Sequence, residues 1–246
     1  MSTSNKLIFD IETIGVDFDS LDETTQDSLT RWIKKESTGE EDYQVALEEL
    51  KNGLGFSPLT GEIVAIGVLD YAKNQGVVYY SAPGNPPVGG PPAGKEEFTE
   101  NGITFKQMTE KEMLENFWKG SQMYDEFIGF SSRQFDGPFL MVRSAYHGIR
   151  PTKNLSESRY LYQQRTCTHI DLADQLTFQS NMRKKGSLHL WSKLFNIKSP
   201  KEDGVTGDDV GRLYKEKKFL EIARYNAGDL RATKELYDKW NNYLNF

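Results

Sequence analysis

The sequence predicts a mixed α/β fold in which helices flank a single sheet. Two observations favour this class. Short runs rich in β-branched and aromatic residues occupy much of the first half of the chain, as in KLIFDIET (6–13) and GEIVAIGVLDY (61–71). Strand and helix patterns then alternate, and the last third has apolar residues at helical spacing. Strands first, followed by alternating helices and strands, is typical of a sheet covered by helices.

The first half of the chain is predicted to contain a strand, two helices and a hairpin. The N-terminal strand precedes the helical sequence SLDETTQDSLTRWIKKE, in which Ser20 is the expected N-cap and Glu23 completes a capping box. A second helix is expected around residues 43–52. The runs at 61–71 and 76–82 flank a short Asn-Gln-Gly turn and therefore predict a hairpin.

The second half is predicted to alternate between strands and helices. PGNPPVGGPPAGK (83–95) has proline pairs and glycines that forbid regular structure, so we expect a surface loop. After this loop the predicted elements are a strand at 102–106, a helix at 110–123, a strand at 126–130, a helix at 135–149, a strand at 166–172 and a long helix at 219–243. We expect one domain spanning residues 1–246, with insertions at about 17–60 and 83–100.

Composition limits the classes of function. The 246 residues include 30 Lys and Arg against 36 Asp and Glu, a formal net charge of −6. This balance excludes an overall basic surface but leaves room for a local basic groove. A mean hydropathy of −0.63 argues against membrane insertion. The single cysteine, Cys167, excludes an internal disulfide and a cysteine-rich zinc site. MSTSNKLIFD has no apolar core long enough for a signal peptide, so we expect a cytoplasmic protein.

Two carboxylates stand within the apolar N-terminal strand. Asp10 and Glu12 are two residues apart, and residues at that spacing point to the same face of a strand. Side by side they repel each other and are costly to bury, unless a divalent cation such as Mg²⁺, which prefers oxygen ligands, relieves both problems. The alternative is that the strand ends in solvent with both acids exposed.

Two further acidic residues attract attention by their surroundings. Asp136 stands where a strand, a loop of small residues and a helix start meet, and N-capping of that helix is the ordinary explanation. Tyr225 and Asp229 share one face of the C-terminal helix, for which a buried tyrosine beside an exposed aspartate is the ordinary explanation. Gly228 costs about 1 kcal/mol in a helix interior relative to alanine, a choice that close approach of a ligand or another backbone would explain.

Together, these residues resemble the motifs of the DEDD (DnaQ-like) 3′–5′ exonucleases. The resemblance rests on FDIET, on Phe-Asp after a glycine-led strand, and on Tyr-x-x-x-Asp near the C-terminus. The tyrosine resembles the DEDDy branch, which includes the proofreading domains of family B DNA polymerases; the histidine of the other branch would stand at Arg224. Segments 169–176, 186–214 and 222–230 are also similar to stand-alone exonucleases related to that proofreading domain.

The resemblance implies an RNase H-like fold with a five-stranded mixed sheet, three antiparallel strands followed by parallel strands. It implies a single exonuclease domain in which two divalent cations, Mg²⁺ or Mn²⁺, are bound by Asp10, Glu12, Asp136 and Asp229, while Tyr225 stands at the attacking water. Two cations can stabilise both the attacking and the leaving oxygen of a displacement at phosphorus. The expected substrate-binding residues are Thr13, Ser131, Arg133 and Phe135. Ser131 stands where the family commonly has an asparagine.

The expected substrate is the 3′ end of single-stranded DNA, and the expected products are nucleoside 5′-monophosphates. Further help in binding is expected from the basic residues Arg183, Lys184 and Lys185. DNA is favoured over RNA because the resemblance is to polymerase proofreading domains, and no motif reveals a contact to the 2′-hydroxyl. Three alternatives stay open: a 3′–5′ exoribonuclease, a non-catalytic nucleic-acid-binding module that retains the fold, and editing for a polymerase supplied by another chain.

Overall fold

One seven-stranded sheet, formed by the residues that the structure describes, organises the fold. The computed structural model describes residues 4–83, 97–199 and 204–246. Its strands are β1 (Lys6–Gly15), β2 (Gly61–Asp70), β3 (Gln75–Tyr80), β4 (Glu97–Glu100), β5 (Ile103–Gln107), β6 (Glu126–Gly129) and β7 (Thr168–Asp171). Their order across the sheet is β4-β5-β3-β2-β1-β6-β7. The first strand of the chain is therefore an interior strand with neighbours on both sides.

The predicted mixture of strand directions is confirmed. β3, β2 and β1 pair in antiparallel fashion, and β6 and β7 continue from β1 in parallel. These five strands are the sheet that the resemblance implied, but the sheet formed by the described residues has seven strands, and the strand predicted at 102–106 is β5. Two more extend the sheet beyond β3, because β5 pairs with β3 in parallel and β4 pairs with β5 in antiparallel fashion.

The additional strand β4 forms a hairpin with β5. The sequence predicted the strand β5 but not the strand β4. Asn101 and Gly102 form the turn, and both have positive φ, 50° and 80°. Asn-Gly is the pair that two-residue hairpin turns favour for this reason, so the signal was present in the sequence. The loop expected at 83–95 lies outside the described residues from position 84 onward.

Helices cover both faces of the sheet. They are α1 (Glu23–Glu36), α2 (Glu40–Gly53), α3 (Glu110–Ser121), α4 (Asp136–Tyr146), α5 (Leu172–Leu176), α6 (Leu188–Leu194), α7 (Val210–Lys215) and α8 (Phe219–Tyr243). α3 and α4 contribute to the core on one face, together with Phe9 and Ile11 of β1. α8 and the shorter helices α5 and α7 contribute to the core on the other face, together with Ile8. Alternation along β1 therefore divides its side chains between two cores.

The start of α1 corrects one prediction. Asp22, not Ser20, is the N-cap, and its Oδ1 accepts a hydrogen bond from the Thr25 amide at 3.1 Å. The Ser20 hydroxyl instead donates to the Asp17 carbonyl oxygen at 2.6 Å within the preceding turn. An aspartate and a serine are equally good caps, so the local sequence alone did not decide between them.

α8 is the longest helix, and its bounds agree with the predicted 219–243. Its buried residues include Ile222, Ala223 and Leu230, which recur at helical spacing and pack against β1, β2 and β3. Within the described ranges, none of the helices is both long enough and apolar enough to cross a membrane.

Candidate active site

Asp10 and Glu12 lie on the face of β1 that α8 covers. They continue the alternation begun by Ile8, which packs in the α8 core. Glu12 is 7% exposed and Asp10 is half-buried. The alternative of a strand end with both acids in solvent is therefore wrong. The β1–β2 register shifts directly after Glu12, an irregularity of the kind that re-aims side chains next to functional sites.

Asp229 of α8 completes an acidic cluster with these two residues. Asp10, Glu12 and Asp229 each offer a carboxylate oxygen, and these oxygens lie within 4.8 Å of one another. Asp229 is 8% exposed, which excludes the ordinary explanation of an exposed aspartate. Tyr225, one turn earlier on the helix, shares a hydrogen bond with Asp229. The spacing of four residues thus places both side chains beside β1.

Asp136 lies next to this cluster and is bound to the backbone of β1. Its Oδ1 accepts a hydrogen bond from the Ile11 amide at 3.0 Å. β6 pairs with β1 only as far as Ile8. Beyond the end of that pairing, the Asp136 carboxylate is the acceptor for the Ile11 amide. Asp136 is 3% exposed, and the N-cap of α4 is Phe135, without a side-chain capping bond. The capping explanation for Asp136 is therefore wrong.

The loop that delivers Asp136, here called the second-motif loop (residues 130–135), is held by β7. The carboxylate of Asp171 accepts hydrogen bonds from the amides of Ser131 and Arg133, each at 2.9 Å. The Ser132 hydroxyl lies 2.8 Å from His169 Nε2. Burial lowers the pKa of His169 to about 4, so the ring is neutral. Its Nδ1 donates to the Leu155 carbonyl oxygen at 2.7 Å, which leaves Nε2 to accept a hydrogen bond from the Ser132 hydroxyl. The sequence interpretation missed Asp171 and His169 because both lie about 40 residues further along the chain.

The acids of the site resist ionisation. Burial, followed by repulsion from neighbouring carboxylates, raises the pKa values of Asp10 and Glu12 well above their ordinary range. Burial raises the pKa of Asp136 to about 8, although hydrogen bonds from its own amide and that of Ile11 oppose the shift. Convergent oxygen donors with this excess of negative charge fit a hard divalent cation, which would favour the ionised forms.

Tyr225 keeps its proton at neutral pH. Burial raises the pKa of its hydroxyl, and the nearby charges of Asp229, Glu12 and Asp10 raise it further. The phenol is therefore a hydrogen-bond donor and not a general base.

The expected substrate-binding residues occupy different surroundings. Ser131 lines the cleft with Asp10 and Tyr225, and its φ of 57° is in the left-handed region. Asparagine adopts that region more readily than serine. The backbone conformation therefore explains why an asparagine suits this position, as the resemblance implies for the family. The Thr13 hydroxyl donates to the Gly55 carbonyl oxygen at 2.7 Å, so this contact gives no support for a substrate role.

Arg133 and Phe135 are engaged within the protein. Arg133 Nε pairs with Asp174 Oδ2 at 2.7 Å, and the arginine side chain is 18% exposed. The ring of Phe135 packs against Phe139, with centroids 5.0 Å apart. Both residues stabilise the second-motif loop and the start of α4. Their predicted contact with substrate stays a prediction, without support from these interactions.

A cavity of about 320 Å³ opens over Asp10, Tyr225 and Asp229. Besides the second-motif loop, segment 186–189, Ser199 and residues 207–208 line it. His189 Nδ1 lies 2.8 Å from Ser199 Oγ, which links two of these segments. The sequence interpretation assigned no role to His189, because lining a cleft with residues from loops leaves no periodic signal.

Comparison with known families shows which family the chain belongs to. Residues 93–245 match the family described as "Predicted 3'-5' exonuclease related to the exonuclease domain of PolB". The chain belongs to this family. The matched segment contains Asp136, Tyr225 and Asp229, and β1 brings Asp10 and Glu12 to them from outside it. The resemblance seen in the sequence is confirmed.

A solved structure of a DNA polymerase shows the same fold. The chain is similar to the family B DNA polymerase from the hyperthermophilic archaeon Pyrobaculum calidifontis, with a TM-score of 0.57 and 15% identity. The similarity covers 97% of this chain and 25% of the polymerase chain. It shows the RNase H-like fold that the resemblance implied. No curated protein sequence matches this chain.

Proposed function

We propose that this chain is a divalent-metal-dependent 3′–5′ exonuclease that acts on the 3′ end of single-stranded DNA. The observation that carries the proposal is the convergence of Asp10, Glu12 and Asp229, with oxygens within 4.8 Å of one another. Buried carboxylates this close destabilise one another, and a bound cation offsets that cost. Membership in a family of predicted 3′–5′ exonucleases supports the same conclusion.

The residues that would hold two divalent cations are Asp10, Glu12, Asp136 and Asp229. When bound, such ions lower the pKa of water towards neutrality and stabilise charge on the attacking and leaving oxygens. The protein supplies these carboxylates already in place: two are on an interior strand and one is on a long helix. The fourth is fixed by the Ile11 amide.

Tyr225 would orient the attacking water through its neutral hydroxyl, which Asp229 holds in the cleft. The water oxygen forms a bond to the phosphorus of the terminal phosphodiester as the bond to the preceding 3′ oxygen breaks. The attacking water releases one proton and the departing 3′ oxygen takes one up, so one water molecule is added across the broken bond. The products are a strand shortened by one residue and a nucleoside 5′-monophosphate.

An exposed basic segment next to the cleft supports a nucleic-acid substrate. Arg183, Lys184 and Lys185 are exposed, and Lys185 Nζ lies 3.5 Å from Gln134 Oε1 at the second-motif loop. The residues that follow, 186–187, line the cleft itself. Because these cations are exposed and lead directly into the wall of the cleft, we assign the basic segment (183–185) to the phosphates of the strand upstream of the cleaved bond.

The test is digestion of 5′-labelled single-stranded DNA and RNA of one sequence, with Mg²⁺ or Mn²⁺. The proposal expects a ladder that shortens from the 3′ end and disappears with EDTA or in Asp229→Asn. Glu221→Gln, an exposed acid on the same helix, is the matched control and should retain full activity. Faster digestion of RNA would replace the DNA substrate by an RNA one. If neither strand is digested although the cation binds, the proposal is overturned in favour of a non-catalytic nucleic-acid-binding module.

A further inference from the structure

Asn226, inside the third motif, contacts the acidic cluster directly. Its side chain is fully buried, and Nδ2 donates a hydrogen bond to Asp10 Oδ2 at 2.8 Å. The other groups whose charges act on Asp10 are carboxylates, those of Glu12, Asp136 and Asp229. Asn226 is therefore a neutral hydrogen-bond donor among the carboxylates that surround Asp10.

Gly67 makes room for this amide. Gly67 is the cross-strand partner of Asp10 in the β1–β2 ladder, and partners in such a ladder project to the same face of the sheet. A Cβ at Gly67 would overlap Asn226 Oδ1 and come within 2.8 Å of Leu230 Cδ1. The φ of Gly67 is not in the left-handed region. Close approach of α8, not backbone conformation, is thus the reason for glycine here.

Stability alone does not explain an asparagine at this position. Asn226 Oδ1 is buried and finds no hydrogen-bond partner among the residues that the structure describes. An unsatisfied buried acceptor costs about 1–3 kcal/mol, a cost that an apolar side chain of similar size would avoid. The compensating interactions are the hydrogen bond to Asp10 and a further one from the same side chain to Glu12, and both point to a role in the site.

We infer that Asn226 is a positioning residue that fixes the orientation of the Asp10 carboxylate for the cation, and that Gly67 is required because it admits the Asn226 amide. The inference rests on the proposed function, since it concerns how the acidic cluster binds metal. A group that holds a metal ligand in place supports affinity without touching the ion. Nothing in the spacing of the three motifs points to either residue.

The test is calorimetric titration of the full chain with Mn²⁺ alone, without nucleic acid. We expect Asn226→Leu and Gly67→Ala each to weaken Mn²⁺ binding by about 10–100-fold, the range found for residues that orient metal ligands. The Mn²⁺ affinity of the double variant should equal that of the single variant with the lower affinity. The two losses do not add, because both changes remove the same hydrogen bond to Asp10. Thr233→Val, a buried change two turns further along α8, is the control and should bind as the wild type.

Urea unfolding distinguishes positioning from a structural role. Asn226→Leu removes the unpaired oxygen, so we expect it to be at least as stable as the wild type while binding Mn²⁺ more weakly. If Asn226→Leu does not fold, Asn226→Ala and Gly67→Ala carry the same comparison. Wild-type Mn²⁺ affinity in folded Asn226 and Gly67 variants would overturn the inference and leave the proposed function intact. Failure of the wild-type chain to bind Mn²⁺ would overturn both.

Discussion

At the scale of single residues, burial sets the protonation states of the cleft. The Tyr225 hydroxyl lies beside Asp229 with its pKa raised by burial and by the surrounding carboxylates. A phenol in that state positions a water and does not accept its proton. The acidic residues are different, since a cation can hold them ionised at neutral pH.

Tyr225→Phe should therefore lower the rate of hydrolysis much less than Asp10→Ala does. The change removes one neutral hydrogen bond, worth about 0.5–1.5 kcal/mol, and we expect the single-turnover rate to fall by about 2–13-fold at saturating Mg²⁺. Asp10→Ala should be far more damaging, because it removes a residue that we propose holds the cation. A Tyr225→Phe rate as low as that of Asp10→Ala would show that the hydroxyl does more than orient water.

At the scale of elements, an interior strand, a long helix and a loop fixed by its neighbour bring the acids together. β1 places Asp10 and Glu12 against α8, which carries Asp229. The second-motif loop places Asp136 because β7 binds its amides through Asp171. The basic segment 183–185 then leads into the wall of the cleft.

Replacing Arg183, Lys184 and Lys185 together by alanine should raise KM and leave kcat nearly unchanged, because we assign these residues to the part of the strand away from the reacting phosphate. If each contacts one phosphate, the slope of log affinity against log salt should decrease in magnitude by about 2 for a single strand. Binding of labelled DNA is measured in Ca²⁺ across a salt series.

The matched control replaces Lys111, Lys119 and Arg150, which are exposed. The first two are on α3, which contributes to the core opposite the one that contains α8. The control changes net charge by the same amount and should retain the wild-type slope. An equal loss of slope in both triple variants would assign the effect to total charge and not to the basic segment.

At the scale of the whole molecule, the acidic site makes stability depend on pH and on metal. Burial raises the pKa of Asp136 to about 8 and those of Asp10 and Glu12 well above their ordinary range. The folded protein thus retains protons that the unfolded chain has lost, so metal-free stability falls as pH rises from the ordinary carboxyl pKa through these raised values.

Mg²⁺ should reverse that loss, because it favours the ionised carboxylates and binds only where the folded chain brings them together. We expect the increase in Tm on adding Mg²⁺ to be larger at pH 8 than at pH 6, measured by thermal unfolding in both buffers. In Asp10→Asn the difference between the two pH values should shrink. An Mg²⁺ effect that is larger at pH 6 would contradict these protonation states.

The sequence predicts the features of the fold and the site that depend on residues close together in the chain, and not those that depend on distant ones. Strong periodicity gave the bounds of α8, and strand alternation predicted the shared face of Asp10 and Glu12. The contacts of Asp171, Asn226 and Gly67 were not predicted, because each joins residues far apart in the chain and leaves no local pattern. Arg133 was expected at the substrate, yet a buried acid at position 174 pairs with it. Only the packed fold shows such a partner.

The most direct test of the central claim is the rate of removal of the 3′-terminal nucleotide from 5′-labelled single-stranded DNA in Mg²⁺, compared between the wild type and folded Asp10→Asn. The carboxylate cluster predicts progressive 3′ shortening by the wild type and a loss of at least about a hundredfold in the variant, since even residues that only orient metal ligands contribute 10–100-fold. Equal rates in the two proteins would contradict the assignment of the cluster as the catalytic centre.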